Sequence, residues 1–336
     1  MIEIVFTLDY EIYGNGRGAL LDFIYEPAEQ IKNIFRNHGV PFVVFVEAAE
    51  IEIIDAHGGD PAVDTIKRQL RDFRTKGIEL GLHLHPQWYN ARYEKSEWQL
   101  DLCEYNLCAL STNRINCLID RSLAYLRKVL GDPGFTPISF RAGNWLLQPT
   151  REVANSLAEH GIKVDSSVYK GGVQHAHKLD YRRSLKNGYF WQFSENVNVP
   201  DPQGVLFEIP TYTQMVPIWN IFTAKRIRLQ QQGAAGKTSG GQKISRLRDY
   251  LRPAYPMKLD FCRLTTAQMI RMFDKEISEE REDPDSFRPV VAIGHTKDFV
   301  DSATLEAFLS YLEKNEIPAV TFEEVHGKIM RPDQKR

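Results

Sequence analysis

The chain is expected to fold as an α/β protein, a distorted (β/α) barrel of about seven parallel strands with helices outside. Two observations lead there. Short apolar runs alternate with helix-period segments over most of the 336 residues, the pattern of a parallel sheet wrapped by helices. Asp9, His83, Arg141, Asp165, Glu208 and His295 each lie at or just after the end of such a run, and the C-terminal rim of a barrel collects its active site from several strands. An open doubly wound sheet also places ligands at strand C-termini, but it concentrates them at one crevice, so the spread of contributors favours a barrel.

Taken in order, residues 2–8 read as a strand and 27–37 as a helix with Ile31, Ile34 and Phe35 on one face. A strand over 41–46, a helix over 62–75 and a strand over 78–83 follow. Residues 96–130 read as helical, two helices broken near 111–113, with Gly131 ending the second. Then come a strand at 138–141, a helix at 150–160 closed by Gly161, and strands at 163–168 and 205–209. A long helix at 265–281, a strand at 289–294, a helix at 302–315 and a last strand at 319–322 complete the order. One domain over 1–330 is expected, with insertions at 171–204 and 221–258.

The first insertion is aromatic and polar, with a hairpin expected around Asn187-Gly188. The second holds nine Lys/Arg against one acid, and its centre, Gln230 to Gly241, has the composition of a linker. It reads as a mobile surface loop or as a basic lid over an anionic substrate such as a pyrophosphate-linked sugar. Gly236-Lys237-Thr238 is no P-loop, because it lacks the preceding strand and the G-x-x-x-x-G-K spacing.

Hydrophobic residues make up 43% and charged residues 26%, an ordinary globular composition, and the net charge of -2 argues against a nucleic-acid partner. No run has the length of an integral membrane segment. Met1-Ile-Glu-Ile-Val-Phe enters a strand without a basic n-region or cleavage site, so a cytoplasmic location is expected and any glycan met there would be a biosynthetic intermediate. Cys103, Cys108, Cys117 and Cys262 show no C-x-x-C spacing and read as reduced thiols.

The chemistry is densest at Gly77-Ile-Glu-Leu-Gly-Leu-His83-Leu-His85-Pro-Gln-Trp88. Strand side chains alternate faces, so His83 and His85 point the same way, a good ligand pair for a divalent metal. Phe6-Thr-Leu-Asp9-Tyr-Glu11 ends another strand with two acids, either of which supplies a third ligand while the other serves as general base. A solvated pair of strand-capping histidines is the plain alternative, and the coincidence of H-x-H-P with D-x-E outweighs it. His295 has the ordinary pKa of a proton donor to a leaving group. Arg141 is suited to hold a catalytic carboxylate ionised, and Asp165 and Glu208 to orient His295 or bind substrate hydroxyls. Trp88, Trp145, Tyr13 and Tyr212 offer rings to a sugar. His175-Ala-His177, in a Gly-rich irregular stretch, reads as a loop contact and not a ligand pair.

The order of these elements resembles the polysaccharide deacetylase family, carbohydrate esterase family 4. Thr7-Leu-Asp9-Tyr-Glu11 is similar to its first motif, Gly77 to His83 with His85-Pro86 to its metal-binding motif, and Phe140-Arg141-Ala-Gly-Asn-Trp145 to its arginine motif. Val164-Asp165-Ser-Ser-Val168 and Ala292-Ile-Gly-His295 resemble the fourth and fifth, so the likeness runs from Ile4 to Phe322. The departures are an Asp9-Tyr10-Glu11 spacing in place of adjacent acids, histidines two apart in place of four, and Arg141-Ala-Gly-Asn-Trp145 in place of R-x-P-x-G. They mark a divergent cytosolic branch.

The resemblance implies a metal-dependent deacetylase acting on an N-acylated sugar or glycan intermediate in cell-envelope polysaccharide biosynthesis. It implies a divalent metal, zinc, held by Glu11, His83 and His85, with Asp9 as base held by Arg141 and His295 as acid. The metal and a backbone N–H near the first motif would stabilise the oxyanion. Substrate contacts fall to Trp88, Trp145, Asp165 and Glu208. Asp9→Asn or His295→Ala is expected to cut turnover by orders of magnitude with the fold intact. The alternatives are a metal amidohydrolase on a small formamide or cyclic amide, separable by soluble-substrate screening, and a catalytically silent glycan-binding barrel, which would keep its metal ligands without turnover.

Overall fold

The computed structural model describes residues 1–221, 223–233 and 253–331. The apolar run after Met1 forms strand β1, Ile2–Tyr10, buried at every position. Around it lie β2 (Val43–Glu47), β3 (Glu79–Leu84), β4 (Ser139–Ala142), β5 (Val164–Asp165), β6 (Trp191–Phe193), β7 (Leu206–Glu208) and β8 (Arg288–His295). They form one sheet in the order β6-β7-β5-β4-β3-β2-β1-β8. All neighbours run parallel except β6, which is antiparallel to β7. Seven parallel strands with helices around them thus form the expected distorted barrel. Its seam is stitched by single bridges: Tyr212 N–H bonds Val291 O, and Leu259 and Phe261 bond Ile293, both beside β8.

Period two sorts the side chains. In β1, Ile4, Phe6 and Leu8 join the helix-facing core with Ile31, Phe35 and Phe73. Val5 faces the barrel interior with Val43, Phe45, Val164, Ile209 and Val291, and Phe322 and Val325 of the helix Phe322–Met330 pack into that cluster. Asp9 has the parity of Val5, and the register sets it beside His295 while His83 sits beside both Glu47 and Arg141. The polar residues therefore crown an apolar lumen.

Several local expectations are corrected. Residues 96–111 hold no α-helix, only single 3-10 turns at Leu102–Glu104 and Leu107–Ala109: Arg92–Glu94 and Glu97–Gln99 pair as a hairpin, and α-helix begins with Thr112–Leu130. Asp101 and Asn106 side chains take the N–H groups of Cys103 and Cys108, a local alternative that competes with helix. The helix Ala48–His57 was not anticipated. No hairpin forms at Asn187-Gly188, whose carbonyls accept from Lys170 Nζ at 2.5 and 2.6 Å; the chain turns back later, pairing β6 with β7. The strand expected at 163–168 stops at Asp165, because Ser166 and Ser167 turn to bond Arg141 and the Ala142 N–H. The last strand reduces to one bridge, Ile4 with Ala319, before Thr321 caps the final helix. Residues 234–252 of the basic insertion lie outside the described residues.

Candidate active site

Strand ends deliver most of the site. His83 and His85 direct Nε2 at the same carboxylate oxygen, Glu11 Oε2, each at 3.5 Å. The three ligand atoms lie within 4.8 Å of one another, and so do those of Asp9, Glu11 and His295. Glu11 Oε1 accepts from Lys297 Nζ at 2.6 Å, and Thr296 Oγ1 donates to the Glu11 carbonyl, so the loop after β1 is pinned to the loop after β8. Glu11 Oε2 is buried without a hydrogen-bond donor. An unsatisfied carboxylate oxygen facing two imidazole nitrogens is the donor set of a divalent cation.

The histidine tautomers favour the same reading. His83 Nδ1 lies 2.8 Å from the Arg141 carbonyl; a carbonyl only accepts, so Nδ1 carries the hydrogen and Nε2 faces Glu11. His85 Nδ1 lies 3.4 Å from the Gln87 amide, whose Oε1 is buried with no donor. A half-turn of that amide sets Oε1 against Nδ1–H and leaves Nε2 as the free ligand. Burial works against a proton on His83, but the Asp9 and Glu11 carboxylates outweigh it and lift its pKa to about 9. Burial lowers His85 to about 3, helped by the charge of His83. Glu11 lies well below the usual carboxylate range: burial raises it, and Lys297 and the two histidines more than reverse that. The two carboxylates thus favour a positive charge on His83, and a metal ion bound there would take the place of that proton.

Next to this cluster stands a second. Arg141 Nη1 donates to Asp9 Oδ1 at 2.5 Å, and its Nε and Nη2 donate to the Ser166 carbonyl and hydroxyl at 3.0 and 3.2 Å. The guanidinium lies over the Phe45 ring, 4.2 Å from its centroid. The other Asp9 oxygen, Oδ2, lies 3.4 Å from His295 Nε2. His295 Nδ1 is buried without a partner, 3.9 Å from Asp298 Oδ2, which is held by Arg263 at 2.6 Å. Burial first, then the charges of Lys297 and Arg263, push His295 well below the usual histidine range, so it is neutral at neutral pH.

The structure brings together Asp9, Glu11, His83, His85, Arg141 and His295, with the half-buried Trp145 ring 5.6 Å from the Arg141 guanidinium. The others stand apart. Asp165 is in register with Phe140, and Glu208 with Asp165, so alternation puts both on the sheet face opposite Arg141. They are fully buried, Asp165 accepting from Ser167 and Glu208 from the Val168 N–H, and burial raises both pKa values. Trp88 is 0% exposed and packs edge-on against Trp98. Tyr13 packs on Phe23, the Tyr212 hydroxyl bonds Glu276, and His177 stacks on Tyr105.

Sequence reasoning missed Glu47, Lys258, Lys297 and Asp298. Glu47 ends β2 and caps the helix Ala48–His57 by accepting from Ala49 and Glu50 N–H, and burial lifts its pKa to about 8. Its signal was present: an acid directly after an apolar run, as with Asp9. Lys297 and Asp298 follow His295 within three residues.

No protein-family model and no curated protein sequence matches the chain. Solved structures do. A candidate polysaccharide deacetylase from Mycobacterium smegmatis superposes with a TM-score of 0.52 at 14% identity, covering 98% of this chain and 91% of that one. A similar candidate from Pseudomonas aeruginosa gives 0.52 at 13% identity, covering 100% and 93%. A branching enzyme from Thermococcus kodakaraensis gives 0.55 at 13% identity, covering 97% of this chain and 71% of that one. At these identities the likeness is one of fold, and this chain shares the distorted (β/α) barrel of the polysaccharide deacetylase structures over nearly its whole length.

Proposed function

We propose that the chain is a metal-dependent hydrolase that removes an N-acetyl or related acyl group from a sugar in glycan or cell-envelope polysaccharide biosynthesis, with residues 1–330 acting as one domain. The observation that carries this reading is the juxtaposition of two clusters: Glu11 Oε2 facing two imidazole nitrogens, and Asp9 clamped between Arg141 and His295. Glu11, His83 and His85 would hold the ion, zinc by the character of the donors. Such an ion supplies Lewis acidity to a carbonyl and a lowered pKa to water.

The protein's own groups account for the proton. Asp9 is the base, held by Arg141 through Oδ1 so that Oδ2 is left to act. His295 is neutral and its Nε2 faces that oxygen at 3.4 Å, so it takes the proton from Asp9 and passes it to the departing amine nitrogen. A histidine already charged could not accept it. Asp9 is 2% exposed, so bulk solvent is largely kept from the base.

The test starts with elemental analysis of protein purified without a metal-affinity tag. Wild type is expected to carry about one divalent ion per chain, and the His83→Ala/His85→Ala variant almost none. Acetate release from N-acetylated sugars should follow the metal. Wild type that binds no divalent ion, even after reconstitution, would overturn the proposal.

A further inference from the structure

Lys258 ends the strand Tyr255–Lys258, which pairs antiparallel with Thr213–Val216 just before the chain meets β8 at Leu259 and Phe261. Its ammonium lies 4.2 Å from the ring centroid of Trp145 and 4.5 Å from that of Tyr169. Two aromatic faces hold the group in place and strip part of its hydration. The same Trp145 ring lies beside Arg141, which holds Asp9. Lys258 therefore stands at the edge of the proposed reaction centre: Asp9 acts on its charge, and its charge acts on His295.

Three neighbouring cations are matched. Arg141 has Asp9 at 2.5 Å, Lys297 has Glu11 at 2.6 Å and Arg263 has Asp298 at 2.6 Å. Among the described residues Lys258 Nζ has no hydrogen-bond acceptor and no ion-pair partner. Its nearest acid in sequence, Asp260, accepts from the Cys262 and Arg263 N–H groups through Oδ1, and its Oδ2 lies 3.7 Å from Arg263 Nε and makes no hydrogen bond to Lys258. A second basic group adds to the surplus: Arg226, on the helix Ala224–Gly233, has a buried Nε with no acceptor, and its guanidinium lies 6.0 Å from the Tyr255 ring. Burial, then the charges of Arg263 and Arg226, lower the Lys258 pKa to about 7, with Asp260 and Asp9 opposing. The surroundings of this ammonium are short of negative charge.

Resting on the deacylase reading, we infer that Lys258, with Arg226 beside it, receives an anionic group of the substrate, so that the N-acylated sugar carries a carboxylate or a phosphate. A bare ammonium fixed between two rings at the rim gains most from such a partner, because a charge-assisted hydrogen bond in a partly dry site exceeds a neutral one. A cage that served only packing would show no preference among sugars of different charge.

The experiment compares binding by calorimetry and hydrolysis by acetate release for an N-acetylated uronic acid, an N-acetylhexosamine phosphate and neutral N-acetylglucosamine. The proteins are wild type, Lys258→Met and Lys258→Arg, each checked for folding by circular dichroism. Wild type is expected to bind one of the two anionic sugars at least about tenfold tighter than the neutral one, an advantage that shrinks with added salt. Lys258→Met should lose this advantage while binding the neutral sugar as before, and Lys258→Arg should restore part of it. Which anion gains identifies the group as carboxylate or phosphate. Equal binding of all three sugars by wild type, or an anion preference that survives in Lys258→Met, overturns the inference. Charge-selective binding without acetate release would keep Lys258 and sink the deacylase, whereas acetate release without charge selection would do the reverse.

Discussion

Arg141 is the largest fully buried charged side chain among the described residues, 1% exposed, and its one carboxylate partner among them is Asp9. The two residues proposed to move the proton therefore carry different structural burdens. His295 is neutral, so His295→Ala should lower turnover about 10²–10⁴-fold and leave the unfolding midpoint nearly unchanged. Asp9→Asn should abolish turnover to a similar degree and also strand a buried guanidinium, costing about 3–5 kcal/mol. Chemical denaturation run beside the activity assay checks both, and equal stability of the two variants would contradict the buried pairing. This revises the expectation from sequence that both changes spare the fold. Asp9, Glu11, His83, His85, Arg141 and His295 were legible because each ends an apolar run and period two then sets its face. Asp165 and Glu208 also end runs, but their parity depends on strand register, which no single run records.

The turn after β4 shows how an element sets a ligand. A Cβ on Gly143 would lie 2.0 Å from His85 Cδ2 and 2.6 Å from the Leu84 carbonyl, so the imidazole occupies the space a side chain would need. Asn144 and Trp145 follow with φ of 57° and 68°, a left-handed pair in non-glycine residues that costs roughly 1–3 kcal/mol each. That strain presents the Trp145 ring to Arg141 and Lys258. Gly143→Ala should push His85 off position and weaken metal affinity about 10–100-fold, measured by competition with a metal chelator; unchanged affinity would remove His85 from the ligand set. Elements were less legible than strand ends. The helix Ala48–His57 carries Glu50-Ile51-Glu52-Ile53, a strand-like alternation, and starts only because the Glu47 side chain caps it through tertiary placement. The helix expected over 96–111 failed for the opposite reason, local side-chain bonds at Asp101 and Asn106 that periodicity does not register.

At the scale of the molecule, Glu79 ties the barrel floor together. It accepts from Ser139 Oγ on the neighbouring strand at 3.3 Å and from the Glu323 N–H of the terminal helix at 2.9 Å. Burial raises its pKa from 4.5 to about 7, against those hydrogen bonds. The folded state then holds a proton that the unfolded chain has already lost, so this residue's contribution to stability falls as pH rises through that window and levels off above it. Glu79→Gln should flatten the difference in urea stability between about pH 5 and about pH 8, and an unaltered pH profile would assign the drift to other groups. The sequence of elements along the chain and the barrel class could be read from the alternation of segments, but the closing bridges at Thr211 and Asp260 could not, because each is a single contact made by an irregular loop. The pairing of β1 with β8 carries a further consequence for how the molecule comes into being. A chain halted before Arg288 would already own every proposed metal ligand, yet it would lack the proposed relay histidine and expose the β8-facing edge of β1 to any passing strand. The segment that brings His295 also brings the Lys297 and Thr296 contacts that pin Glu11, and it is the same one that covers the open edge of β1.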